Sequence, residues 1–177
     1  GGLNNRATGE HSFIGGGEGN QATNFYSTIA GGFQNRIYGE ITINVFGQTS
    51  NSTNNGVIVG GSNNTIGNIG GQNHDSFIGG GQDNGIGEVD GESVLAGVIG
   101  GGTYNKIKGN NSARSVIGGG QDNEITGHHC TVSGGSGNVA SFGPSEGGHV
   151  VIGGGEGNDA LDDYSTIAGG LNNRATG

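Results

Sequence analysis

Residues 12–26 read SFIGGGEGNQATNFY and residues 27–41 read STIAGGFQNRIYGEI, two fifteen-residue copies of one pattern. In the first copy Ser12, Ile14 and Gly16 alternate, so they share one face of a short strand while Phe13 points to the other. A Gly-rich corner follows. Asn20 and Ala22 then share the inner face of a second strand, with Gln21 and Thr23 outside. A unit this short cannot bury its own apolar face and must stack on copies of itself.

The copies run the length of the chain. Each consists of a β-branched residue, any residue, Gly, Gly or a substitute, two variable residues and Asn. Ten begin at Ile14, Ile29, Val45, Ile58, Ile78, Ile99, Ile117, Val132, Ile152 and Ile167, and the tail of an eleventh ends at Asn5. Two places after each Asn sit Ala22, Ile37, Thr53, Ile66, Ile86, Ile107, Ile125, Ala140, Ala160 and Ala175, nine of ten being Ala or Ile, so this position faces inward. Its neighbours are mostly polar, as in Arg36 with Tyr38 or Lys106 with Lys108, which describes a sheet with one wet face.

The first strand is different. Its inner residue is always Ile or Val, and the residue before it is Phe13, Thr28, Asn44, Val57, Phe77, Val98, Val116, Thr131, Val151 or Thr166. Six of these ten are Phe or Val, and a strand apolar on both faces is expected to be covered on both. One solenoid has nothing to cover that outer stripe, so the sequence predicts an oligomer. The expected inner column includes Ile14, Ile29, Ile78, Ile117 and Ile152. Phe13, Phe77, Val98, Val116 and Val151 form the expected chain-to-chain stripe.

Glycine supplies the positive φ that a tight corner needs. The Asn reads as a buried ladder, each amide bonding backbone or the Asn one rung away; a row of ligand contacts is the alternative. Extra residues of the longer repeats fall after the second strand and before the next first strand, in 67–75, 87–97, 109–114 and 142–148, and should emerge from one edge of the shaft.

Composition narrows the function. The 177 residues include 45 Gly, one Pro and no Trp or Met, and only 29% are hydrophobic, a level at which disorder would be expected were the Ile, Gly and Asn not so regularly placed. Gly is not at every third position, which excludes collagen. A net charge of −9 disfavours nucleic acid. Cys130 is alone, so no intrachain disulfide framework exists. No stretch has the apolar length of a membrane span, and no secretory leader opens the sequence, which starts in mid-repeat.

Chemistry is sparse. His128, His129 and Cys130 are the one cluster of soft metal ligands, but adjacent strand residues point apart and no spaced partner completes a zinc pattern. Glu88, Asp90 and Glu92 in one insertion, and Asp159, Asp162 and Asp163 in another turn, could hold Ca²⁺; a solvated acidic loop is the simpler reading. Gly79–Gly81 and Gly118–Gly120 lack the Lys and helix of a phosphate loop. No recurring Ser, His and Asp constellation points to catalysis, so no catalytic, cofactor or metal residues are assigned. Sequons occur at Asn51, Asn63 and Asn110; Asn51 falls on the inward ladder position, and Asn110, in a loop, is the accessible candidate for a glycan.

Ser12-Phe-Ile-Gly with Asn20-Gln-Ala, Ser27-Thr-Ile-Ala-Gly with Asn35-Arg-Ile, and Ser165-Thr-Ile-Ala-Gly with Asn173-Arg-Ala-Thr-Gly resemble the YadA-like head repeats of trimeric autotransporter adhesins. The resemblance covers nearly the whole chain. It implies a left-handed parallel β-roll with two short strands per rung, three chains around one axis, and attachment at a cell surface. The family's neck, coiled-coil stalk and membrane anchor have no counterpart in these residues.

Residues 169–177 read GGLNNRATG, identical to residues 1–9 at an offset of 168. That identity predicts a super-repeat, with residues 1–177 a single repetitive segment forming one period of a longer fibre; a local duplication is the alternative. The expectation is thus an all-β parallel solenoid of about ten short rungs, ~50 Å long at ~4.8 Å per rung. It would be a homotrimer, intertwined or side by side, acting as a non-catalytic extracellular or cell-surface fibre. The alternatives are a phage or virus tail-fibre shaft on the virion surface, and a monomeric solenoid that binds glycan or ice.

Overall fold

The computed structural model describes residues 1–38, 41–43, 49–51, 53–67, 73–87, 94–109, 114–141 and 148–176. Among them there is no helix, and almost every strand is two residues long. The chain is an all-β parallel solenoid. Nine first strands, from Phe13–Ile14 to Thr166–Ile167, stack in one parallel sheet, and ten second strands, from Arg6–Ala7 to Arg174–Ala175, stack in another. A third parallel row of single bridges runs through Leu3, Glu18, Phe33, Ser62, Gln82, Thr103, Gln121, Ser136, Glu156 and Leu171, at the corner between the two sheets.

The register keeps like over like: Ile78 pairs with Ile58 and Ile99, and Ile107 with Ile86 and Ile125. Side chains alternate across a strand, so this register lines up one inward residue per strand in each sheet. Ile29, Ile58, Ile78, Ile99, Ile117, Val132 and Ile152 face Ala22, Ile37, Ile66, Ile86, Ile107, Ile125, Ala140 and Ala160 in a continuous buried core. Ile14 closes one end, half-buried. Each interior Ile contributes on the order of 2–5 kcal/mol relative to Ala.

What lets the rungs close so tightly is the second Gly of the pattern. From Gly2 to Gly170 this position has φ between 85° and 125°. A Cβ on Gly102 would collide with the carbonyl oxygen of Gly120, and one on Gly120 with that of Gly135; the same holds from rung to rung. Only Gly satisfies both the dihedral and the approach.

Among the described residues, one expected rung is absent from the two stacks. Thr28–Ile29 pairs directly with Val57–Ile58, and Arg36–Ile37 directly with Thr65–Ile66, so the repeat beginning at Val45 joins neither stack. Nine first strands stand where ten were expected. Val45 itself lies outside the described residues. Asn51, expected on the inward ladder, instead pairs antiparallel with Ile41 in a hairpin of Ile41–Ile43 with Thr49–Asn51, and Thr53–Asn54 pairs with Asn73–His74. The reason is in the repeat: it carries Gln48 where every stacked copy has its second Gly, and Thr53 where every other copy has Ala or Ile.

Gly102→Ala should therefore cost more than about 3 kcal/mol in urea unfolding. Gly137→Ala, at φ 63° with open space around its Cβ, should cost only about 1–2 kcal/mol. Equal losses at the two sites would contradict the close-approach argument.

Candidate functional site

The Asn column has no valence left for a ligand. Asn105 donates from its backbone N–H and from Nδ2 to Asn84 Oδ1, both at 3.1 Å, and Nδ2 also reaches Gly101 O at 3.0 Å and Gly120 O at 2.9 Å. Its own Oδ1 accepts from Asn123 N and Nδ2 at 3.1 and 3.0 Å. The same bonding links Asn5, Asn20, Asn35, Asn64 and Asn84, and continues to Asn138, Asn158 and Asn173. Of these, Asn20 to Asn158 are fully buried. From Asn20 to Asn158 every carboxamide hydrogen and lone pair is used, as burial demands. The ladder holds the rungs together.

The outer face of the first-strand sheet is where surface chemistry concentrates. Phe13, Phe77 and Val151 are 57%, 37% and 40% exposed, and Val98 and Val116 are half-buried on the same column. Thr28, Val57, Thr131 and Thr166 complete it, with no charged residue in a chain of net charge −9. Beside this bulky column, one residue past each inward Ile or Val, runs a row of Gly15, Ala30, Val59, Gly79, Gly100, Gly118, Ser133, Gly153 and Ala168, small at every place except Val59. Bulky and small rows side by side make a flat, uncharged, ridged face. The sequence shows the bulky row; the small row becomes meaningful only once both are seen to flank one strand.

His128, His129 and Cys130, the soft-ligand cluster of the sequence, point apart. Cys130 is buried, its thiol 3.2 Å from His128 O, and burial pushes its pKa up. His129 turns outward and stacks on His149, with ring centroids 4.7 Å apart. Among the described residues no group of three His, Cys, Asp or Glu is placed to hold a metal ion. Asp162 and Asp163 serve turns: Asp162 Oδ1 accepts from Asp163 N and Asp163 Oδ1 from Gly148 N, both at 2.8 Å, while Asp159 lies on a second strand. Glu88, Asp90, Glu92 and Asn110 lie outside the described residues. Asn63 sits at φ 56°, outward of ladder residue Asn64.

The described residues that flank the insertions, Gly67, Gly87, Gly109 and Ser141 after second strands and Asn73, Val94, Arg114 and Gly148 ahead of first strands, lie on one edge. The residue three places before each inward Ile or Val on that edge has φ between 52° and 62°: His11, Tyr26, Asn55, Asp75, Ala96, Arg114, His129, His149 and Tyr164. The sequence gives no sign of this column, because nothing unites its members except backbone conformation.

Among the described residues no helix is long and apolar enough to cross a membrane. No protein-family model matches the chain, and no curated protein matches it.

Asn105→Asp would aim carboxylate oxygens at the Gly101 and Gly120 carbonyls and Asn84 Oδ1. It should cost at least about 3 kcal/mol at neutral pH in chemical denaturation. Asn63→Asp, at a position where other rungs carry Asp83 and Asp122, should stay within about 0.5 kcal/mol.

Proposed function

We propose that the chain is a structural, non-catalytic fibre segment of a cell or virion surface: a left-handed solenoid shaft that associates as a trimer and serves attachment. The observation that carries this reading is the uncharged column of Phe13, Phe77, Val98, Val116 and Val151. It stands on a sheet whose inner face is already filled and leaves outside what an interior would normally hold. The row of small residues beside it allows the close approach of another chain. The resemblance to YadA-like head repeats points the same way and supplies the handedness and the number three. A tail-fibre shaft is physically the same object under a different owner.

Continuation into a longer fibre is supported by the rung GGLNNRATG. As residues 1–9 it stacks against a following rung, Leu3 bridging Glu18 and Arg6–Ala7 pairing with Gln21–Ala22. As residues 169–177 it stacks against a preceding one, Leu171 bridging Glu156 and Arg174–Ala175 pairing with Asp159–Ala160. One rung of this sequence is thus compatible with neighbours on both sides, as a shaft repeating every 168 residues requires.

Val116→Asp and Phe77→Asp, each placing a charge on the stripe, should reduce the mass in light scattering to that of one chain while the β-type circular dichroism is kept. An unchanged oligomeric mass in both variants would remove the stripe from the interface. A wild-type chain already of single mass would move the glycan- or ice-binding monomer to first place.

A further inference from the structure

All five histidines of the chain lie along the edge from which the insertions emerge, three or four residues ahead of an inward Ile or Val: His11, His74, His128, His129 and His149. On its lower half the edge is tied by side chains. Arg114 Nη1 lies 3.1 Å from His129 Nε2, His129 stacks on His149 with planes 8° apart, and His149 stacks on Tyr164 at 5.4 Å and 8°. A guanidinium can only donate, so His129 Nε2 must present its lone pair and carry its proton on Nδ1. In this arrangement His129 is neutral.

We propose that this edge is an acid-operated latch, in which protonation of His129 expels Arg114, parts the ring stack on His149 and loosens the edge while the interior Asn ladder keeps the rungs in register. A protonated His129 has no lone pair for Arg114. The charged ring would then stand one rung from the Arg114 guanidinium, against the stacked ring of His149 and 6.4 Å from that of His128. Below them, Asp162 and Asp163 accept from the backbone N–H groups of Asp163 and Gly148, and Cys130 is buried behind. The rungs on this edge are also joined by Arg114 N to Leu95 O at 2.7 Å, and by His149 N to His128 O and Tyr164 N to Gly148 O, both at 2.9 Å. These are the bonds that would open.

The sign follows from the surroundings. Partial burial, then His149, Arg114 and His128, hold His129 below its ordinary pKa of 6.5. Because the fold favours the neutral ring, the latch is complete above pH 6.5 and is lost as pH falls through the lowered folded-state value beneath it. The latch requires only one chain, so its failure would leave the fibre reading untouched.

The test is an NMR titration of the histidines in the whole chain, with amide exchange followed at pH 7.5 and pH 5 and corrected for intrinsic rates. His129 should titrate below its ordinary 6.5, and Arg114→Ala should raise it. In acid, the amides of Arg114, His149 and Tyr164 should exchange at least tenfold faster, while those of Asn123 and Asn138 on the ladder are unchanged. His129 titrating at its ordinary value in the wild type, or edge and ladder amides responding alike, would overturn the latch. Should Arg114→Ala not fold, the wild-type titration and exchange decide by themselves.

Discussion

Backbone meets backbone at one corner of this solenoid, with no room for a Cβ between rungs. The glycines from Gly2 to Gly170 set that approach, and the Asn three residues later fills the inside of the same corner with its carboxamide. The two devices depend on each other. Without the close approach the Nδ2 hydrogens could not reach the carbonyls of both rungs, and without the carboxamide those carbonyls would be buried unpaired. The Ile columns then close because rung spacing is already fixed by this corner.

A core two residues wide has consequences for the surface. It can be finished with about one Ile or Ala per strand, which is how a chain with 29% hydrophobic residues folds at all. It also leaves little apolar residue to spare. The Phe and Val set on the outer column of the first strand are therefore conspicuous, because the shaft does not need them for its own interior. The opposite arrangement holds on the second strand, where Arg36, Lys106 and Glu124 face outward and Lys108 pairs with Glu124. The molecule has one charged outer face and one uncharged outer face.

Much of this was legible from spacing alone. Ile, Asn and the Ala or Ile two places on mark both inward columns, and away from the Val45 repeat the register within the two long sheets follows from them. The Val45 repeat misled because it keeps the β-branched residue and the Asn, the two features that define the period, while losing the Gly that stacking depends on. Gln48 was visible in the sequence; its weight was not, until the close approach of Gly32 to Gly61 was seen. The bridge row through Leu3, Glu18 and Phe33 and the edge column through Arg114, His129 and His149 could not be read at all. Both are properties of the backbone, which places chemically unrelated residues one above another.

The shaft and its exposed stripe are tested most directly by cryo-electron microscopy of the native, unprocessed material. The account predicts three-fold rods with rungs about 4.8 Å apart, longer than a single period, with the stripe residues buried between chains. Isolated single solenoids, with the Phe77 and Val116 column open to solvent, would contradict it.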